Sequence, residues 1–275
     1  MQKNVIEYLL RTAETYPQKI AVQDSVKEIT FAQLLERAHI LASKVRQYGI
    51  MNSPVGVYIP KGCDAVTAFA ALSMSGNFYV PLDTKSPSSR VESIITVLDT
   101  PILITDSEHF TDLQKITDRP ILVIDNSYTD SSIQRIAIEK LMEKQIDTDP
   151  VYSIFTSGST GIPKGVVVSH RGVIDYIDWA IETFHIDSTS IIGNQAPFYF
   201  DNSTLDIYLM YATGATLNII PDTFFAFPAK LVEYLDEKKI TFVFWVPFVL
   251  VNMANFKILD SRKPQYLRDV FFAGE

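Results

Sequence analysis

The sequence predicts an α/β fold of parallel-type sheets flanked by helices, and three observations carry that prediction. Short, almost wholly apolar runs at residues 55–59, 102–104, 121–124 and 240–246 read as strands buried on both faces. Between them lie stretches with apolar residues at helical spacing, such as Phe31, Leu34, Leu35, Ala38, Leu41, Ala42 and Val45. The two kinds of segment alternate along most of the chain, the pattern of a sheet covered by helices on both faces.

In order, residues 5–16 form the first predicted helix, stopped by Pro17, and residues 20–23 and 28–31 a hairpin turning over residues 24–27. Thr30 followed by Gln33 is a capping box for a helix that runs to Gly49. Then come a strand at 55–59, a helix at 64–74, an extended stretch at 78–80, and a helix from Pro87 to about residue 98 with Ser86 as its cap. Strands at 102–104 and 121–124 flank a helix at 108–115, and the polar stretch 128–150 reads as a surface connection with one helix near 136–144. Apolar runs at 151–155 and 166–168 are predicted as buried strands on either side of a glycine-rich loop. Beyond it follow a helix at 171–184, an extended 191–195, and a helix capped by Asp201 or Asn202 and closed by Gly214. A strand at 215–220, a helix at 229–239, a strand at 240–246, a helix at 248–256 and a strand at 269–273 complete the series.

Composition narrows the function classes. The 275 residues are 47% hydrophobic, enough for a packed core rather than a disordered chain. A net charge of −8 argues against nucleic acid as a partner. The single cysteine, Cys63, excludes an intramolecular disulfide and fits a reducing compartment, the cytoplasm, as a buried inert thiol. No leader-like apolar segment opens the sequence and no stretch is long enough to span a bilayer, so no membrane partner is expected. His39, His109, His170 and His185 show no metal-ligand spacing; His39 and His185 read as surface residues, His170 as structural at a helix start, and Trp179 and Trp245 as core.

The chemistry concentrates in T-S-G-S-T-G-I-P-K-G, from Thr156 to Gly165. Gly158, Gly161 and Gly165 let backbone approach an anion, the hydroxyls of Thr156, Ser157, Ser159 and Thr160 can donate to phosphate oxygens, and Lys164 adds positive charge. A Ser/Gly linker is the bland alternative, but a linker needs neither Pro-Lys-Gly nor a strand at each end. A P-loop requires Lys directly after the last glycine of its motif, and here Lys164 follows Pro163. A dinucleotide-binding fold fails too, since no G-x-G-x-x-G opens a helix.

The stretch V-Y-S-I-F-T-S-G-S-T-G-I-P-K-G-V-V-V-S-H strongly resembles the phosphate-binding signature of the adenylate-forming ligases, the superfamily of acyl-CoA synthetases, luciferases and nonribosomal peptide synthetase adenylation domains. I-T-F-A-Q-L, S-G-N-F-Y-V-P-L-D and F-D-N-S match further signatures in the right order. The resemblance implies the N-terminal large domain of such a ligase, without the C-terminal lid domain and its adenylation lysine. It implies two intertwined subdomains, about residues 1–60 with 186–275, and about 61–185 carrying the phosphate loop. It implies ATP and Mg2+ as cofactors, with the Mg2+ ligands mostly outside this sequence, and no turnover by these residues alone.

By the same resemblance, Lys164 and Thr156 are the catalytic groups, and Thr156, Ser157, Gly158, Ser159, Thr160, Gly161 and Lys164 hold the phosphates, with Gly274 along the adenine. In amino-acid-activating members an Asp in the F-D-N-S motif pairs with the substrate ammonium; Asp201 takes that position, and a plain helix cap is its alternative. Phe200 resembles the aromatic beside the carboxylate site. Asn202, Leu205, Phe244, Phe271 and Ala273 match the wall that reads the amino-acid side chain, and each also fits ordinary core packing. The implied partners are an amino acid and an acyl or peptidyl carrier protein. A D-alanine:carrier-protein ligase, a carboxylate-CoA ligase and a non-catalytic nucleotide-binding fragment are the alternatives.

Overall fold

The computed structural model describes residues 2–124, 135–156 and 163–274. The first half contains α1 (Ile6–Thr15), β1 (Ile20–Gln23), β2 (Glu28–Thr30), α2 (Phe31–Arg46), β3 (Pro54–Tyr58), α3 (Cys63–Met74), β4 (Phe78–Pro81), α4 (Ser88–Leu98), β5 (Leu103–Thr105), α5 (Phe110–Gln114) and β6 (Ile121–Val123). The second contains α6 (Arg135–Lys144), β7 (Pro150–Thr156), β8 (Lys164–Ser169), α7 (His170–Phe184), β9 (Ile191–Asn194), α8 (Asn202–Thr213) and β10 (Thr216–Ile219). A 3-10 turn at Asp222–Ala226, then α9 (Pro228–Glu237), β11 (Phe242–Trp245), α10 (Pro247–Asn255), α11 (Ile258–Ser261) and β12 (Asp269–Phe272), finish it.

The strands form two sheets, ordered β12-β11-β9-β10-β1-β2 and β6-β5-β3-β4-β7-β8. Pairing is parallel throughout except for the β1–β2 and β7–β8 hairpins, each of which forms one edge of its sheet. The predicted α/β class, with parallel-type sheets between helices, is the observed one. β3, which the division near residue 60 groups with the first sheet's segments, is paired instead between β4 and β5 of the second.

Helices α3 and α8 join the sheets. Both are apolar nearly all round, and both are buried nearly all round, as a helix without a polar face must be. The Tyr211 hydroxyl on α8 donates to the Val66 carbonyl on α3 at 3.3 Å, and the hydroxyls of Tyr79 on β4 and Tyr208 on α8 lie 3.0 Å apart. One continuous core therefore runs from Val22 and Leu217 of the first sheet to Val55, Tyr79 and Val151 of the second. Smaller clusters around Leu231 and Trp245, and around Val91 and Leu103, cover the outer faces. Among the described residues no helix is long and apolar enough to cross a membrane.

Local signals hold where they depend on neighbours in sequence. Gln33 N–H donates to the Thr30 hydroxyl at 3.2 Å and Thr30 N–H to the Gln33 side chain at 2.9 Å, the predicted capping box. Gly214 closes α8 with φ of 76°, and a Cβ there would lie 2.7 Å from the Tyr16 ring. Other expectations are corrected. Ser86 does not cap α4; its hydroxyl donates to Asp83, and Pro87 precedes the helix. His39 is buried, not surface, because α2 is covered on that side. Trp179 is 46% exposed rather than core, while Trp245 is buried and donates from Nε1 to the Gly193 carbonyl. β8 is an edge strand whose Val166 and Val167 are exposed, not a buried one.

Candidate active site

β7 and β8 run antiparallel, which brings Thr156 and Lys164 opposite one another as the register pair nearest the segment that connects the two strands. Both are exposed, and Lys164 has no ion-pair partner among the described residues, so its charge is available to an anion. Ser157, Gly158, Ser159, Thr160 and Gly161 lie outside the described residues. Gly165 has a packing reason of its own: a Cβ there would come within 2.7 Å of the Ser153 hydroxyl and 3.0 Å of the Phe155 ring. Its glycine lets the hairpin close, whatever the loop binds.

The head of α8 meets this hairpin across a cleft of about 470 Å³. Thr156, Tyr152 and Ile154 of β7, Val166 and Val168 of β8, and Phe200 and Asp201 before α8 line it, together with Asp83 and with Arg90 of α4. Asp201 occupies the position just before α8, yet its backbone is helical and its side chain makes no capping hydrogen bond. Thr204 satisfies that turn instead, its N–H and its hydroxyl both donating to the Asp201 carbonyl, at 2.9 and 2.7 Å. The carboxylate is thus exposed and has no ion-pair partner among the described residues, which removes the plain-cap reading of this residue. Its negative charge adds to burial in raising the phenol pKa of both Tyr152 and Tyr176.

The remaining residues of the predicted wall fall into other places. Asn202 is the half-buried first residue of α8, and Leu205 one turn on is fully buried in the core. Phe244 and Phe271 sit side by side on the parallel strands β11 and β12, and their rings stack with centroids 4.4 Å apart. Ala273 and Gly274 follow β12, exposed, with Gly274 at φ of 82° and open space where a Cβ would stand. Thr156, Phe200 and Asp201 therefore share one cleft, Phe244 and Phe271 one aromatic stack.

Two side chains of the cleft were given no role by the sequence: Tyr152, which lies inside the V-Y-S-I-F-T stretch, and Arg90, which lies in no motif. Behind the head of α8 lies a buried polar group. Asn194 Nδ2 donates to Asp206 Oδ2 at 2.8 Å, while Asn194 Oδ1 and Asp206 Oδ1 have no hydrogen-bond partner. Lys61, beside them, donates to the carbonyls of Gln195 and Ile220 and pairs with Asp222 at 2.8 Å. Burial pushes Asp206 up to about 8, against the hydrogen bond from Asn194 and the charge of Lys61. A proton on Asp206 supplies the donor that this acid–amide pair otherwise lacks.

The sign of the resulting pH dependence follows by linkage. Between about pH 4 and the folded value the unfolded chain releases a proton that the folded chain keeps. Stability on this account falls as pH rises through that window, by up to about 1.4 kcal/mol per pH unit. Asp206→Asn, which offers a permanent donor in nearly the same shape, removes the slope. Urea midpoints of variant and native chains are expected to coincide near the acid end and to diverge in favour of the variant toward neutral pH. Parallel curves would refute a protonated Asp206.

Comparison with known proteins gives a consistent pattern. A D-alanine–D-alanyl carrier protein ligase from Lacticaseibacillus paracasei is 32% identical over 80% of this chain and 43% of its own length. An L-proline–(L-prolyl-carrier protein) ligase from Pseudomonas fluorescens is 28% identical over 98% of this chain and 55% of its own. The chain thus spans about half the length of the curated relatives it matches. The crystal structure of the nonribosomal peptide synthetase FmoA3 superposes with a TM-score of 0.86 at 26% identity, covering 99% of this chain and 28% of that one. The same protein has been solved with AMPPNP and with α-methyl-L-serine-AMP. Residues 9–275 match the AMP-binding enzyme family, and the chain belongs to it.

Proposed function

We propose that this chain is the nucleotide- and substrate-facing part of an enzyme that activates an amino acid with ATP. A substrate carboxylate oxygen attacks the α-phosphorus, the bond to the bridging oxygen breaks, and pyrophosphate leaves, giving an aminoacyl adenylate. The aminoacyl group then passes to the phosphopantetheine thiol of a carrier protein, with release of AMP. The observation that carries this reading is that Asp201, an exposed carboxylate unused by its own helix, shares a cleft with the end of the hairpin bearing Thr156 and Lys164. An ammonium at Asp201 and phosphates at the hairpin are the two ends of the substrates such a reaction must bring together. In the first step the chain's own groups position and neutralise: Lys164 and the Thr156 hydroxyl face the departing phosphates, and Asp201 orients the amino acid.

Mg2+ accompanies the nucleotide in this reading. Among the described residues no group of three or more His, Cys, Asp or Glu side chains could hold a metal, and no step is assigned to it. The carrier-ligase relatives support an amino acid rather than a fatty or aryl acid, and the first of them supports alanine as the narrower choice.

The test is pyrophosphate exchange by the full-length protein against a panel of amino acids, fatty acids and aryl acids. Exchange driven by amino acids, and acylation of a carrier protein only in its phosphopantetheinylated form, is the expected result. Exchange driven only by fatty or aryl acids would replace amino-acid recognition with a carboxylate-CoA ligase reading. Nucleotide binding without exchange on any acid would overturn catalysis.

A further inference from the structure

One charged side chain of the cleft is still without a role. Arg90 is the third residue of α4, and among the described residues it is the one positively charged side chain in the cleft lining. It is exposed, and it makes no hydrogen bond or ion pair among the described residues. Its charged neighbours are engaged elsewhere. Asp83 accepts the Lys85 N–H at 3.0 Å and the Ser86 hydroxyl at 2.9 Å, and the Lys85 ammonium pairs with Asp222 at 3.0 Å.

Helix stability does not account for an arginine at this position. The first turn of α4 holds no acidic residue, and a cation there meets the positive end of the helix dipole. Packing does account for where its backbone sits. Val91 and Ile94 belong to the buried cluster against which Phe155 packs, and all three also line the cleft. Phe155 directly precedes Thr156, so the packing that fixes α4 keeps Arg90 close to the end of β7.

A triphosphate entering the cleft brings several negative charges, whereas Lys164 supplies one positive charge and Thr156 a neutral donor. A guanidinium presents a planar fork of N–H donors that matches two oxygens of a phosphate, and it stays protonated at any working pH. We propose that Arg90 binds the nucleotide phosphates, its guanidinium adding from α4 a second positive charge to that of Lys164. The assignment rests on the ATP-dependent reading above and deepens it by naming a further phosphate-holding residue. Arg90 acts on nucleotide affinity, and amino-acid recognition stays with Asp201.

The experiment measures ATP binding by calorimetry, and pyrophosphate exchange, on the full-length protein: native, Arg90→Ala, Arg90→Lys and, as a charge control, Lys85→Ala. Arg90→Ala is expected to raise the ATP Kd and the ATP KM by at least about 10-fold, with the amino-acid KM within about twofold. Arg90→Lys keeps the charge and loses the fork, so it should recover part of the loss. Lys85→Ala removes the same charge from an exposed, paired residue outside this cleft, and should leave the ATP Kd within about twofold. An unchanged ATP Kd in folded Arg90→Ala overturns the assignment. A rise confined to the amino-acid KM also overturns it, by giving Arg90 to the substrate carboxylate, and equal weakening by Lys85→Ala does so by reducing the effect to net charge. Should the alanine variant fail to fold, Arg90→Gln carries the same comparison. A native protein that binds ATP but exchanges with no amino acid overturns the amino-acid reading alone, and the ratio of ATP Kd values still decides Arg90. A native protein that binds no ATP overturns both.

Discussion

Replacing Asp201 by alanine in the full-length protein is expected to lower kcat/KM for the amino acid by at least about 100-fold while leaving the ATP KM within about twofold. The physical ground is the position of the carboxylate. It lines a cleft together with Ile154, Val166, Val168 and Phe200 and with Asp83 and Arg90, and it has no ion pair among the described residues. A cationic ammonium entering that cleft trades water for the carboxylate; without Asp201 its desolvation is less well offset. Asp201→Asn keeps the shape and loses the charge, so it should fall nearly as far as alanine. If the backbone role of Asp201 at the head of α8 were all that mattered, Asp201→Asn would behave as native, because the carbonyl that Thr204 binds is unaltered. Equal losses for amino acid and ATP would sink the assignment.

The second large effect is expected at Lys164. Lys164→Ala should reduce amino-acid-dependent exchange on the order of 100-fold, chiefly in kcat, with thermal stability close to native. Lys164 is exposed at the start of an edge strand and has no ion pair to lose among the described residues, so the fold has little stake in its ammonium. The stability measurement is what separates the two roles: a lysine that merely solubilised the hairpin could be removed with exchange intact. Thr156, at the opposite register position, contributes one neutral donor. It should therefore matter less than Lys164.

Legibility followed the range of the interactions. The capping box at Thr30, the closing glycine at 214 and the place of His170 at a helix start were readable, since each depends on residues within a few positions. His170 even keeps its expected place at a helix start, where burial pushes it down to about 4 and its Nδ1 accepts the Val5 N–H at 3.3 Å. The errors came where the deciding partner lies far along the chain. His39 and Trp179 exchanged expected environments because burial of a helix face depends on which neighbour covers it. Val166 and Val167 looked like core because an apolar run does not record whether its strand is central or at an edge.

The candidate site divides the same way. By itself the sequence determined the chemistry on offer: the hydroxyl-, glycine- and lysine-bearing loop, the F-D-N-S motif, and with them the family. Only the tertiary structure decided that Asp201 is free of its helix cap, that it opens on the same cleft as Thr156, and that Asp206 is sealed against Asn194 beside Lys61. It alone showed that an open tryptophan on α7 leans on the stack of Phe244 and Phe271. The reason is geometric: α8 belongs between two sheets whose strands interleave along the chain, so the cleft and the contacts of Lys61 and Trp179 join segments separated in sequence, and no local pattern encodes their meeting.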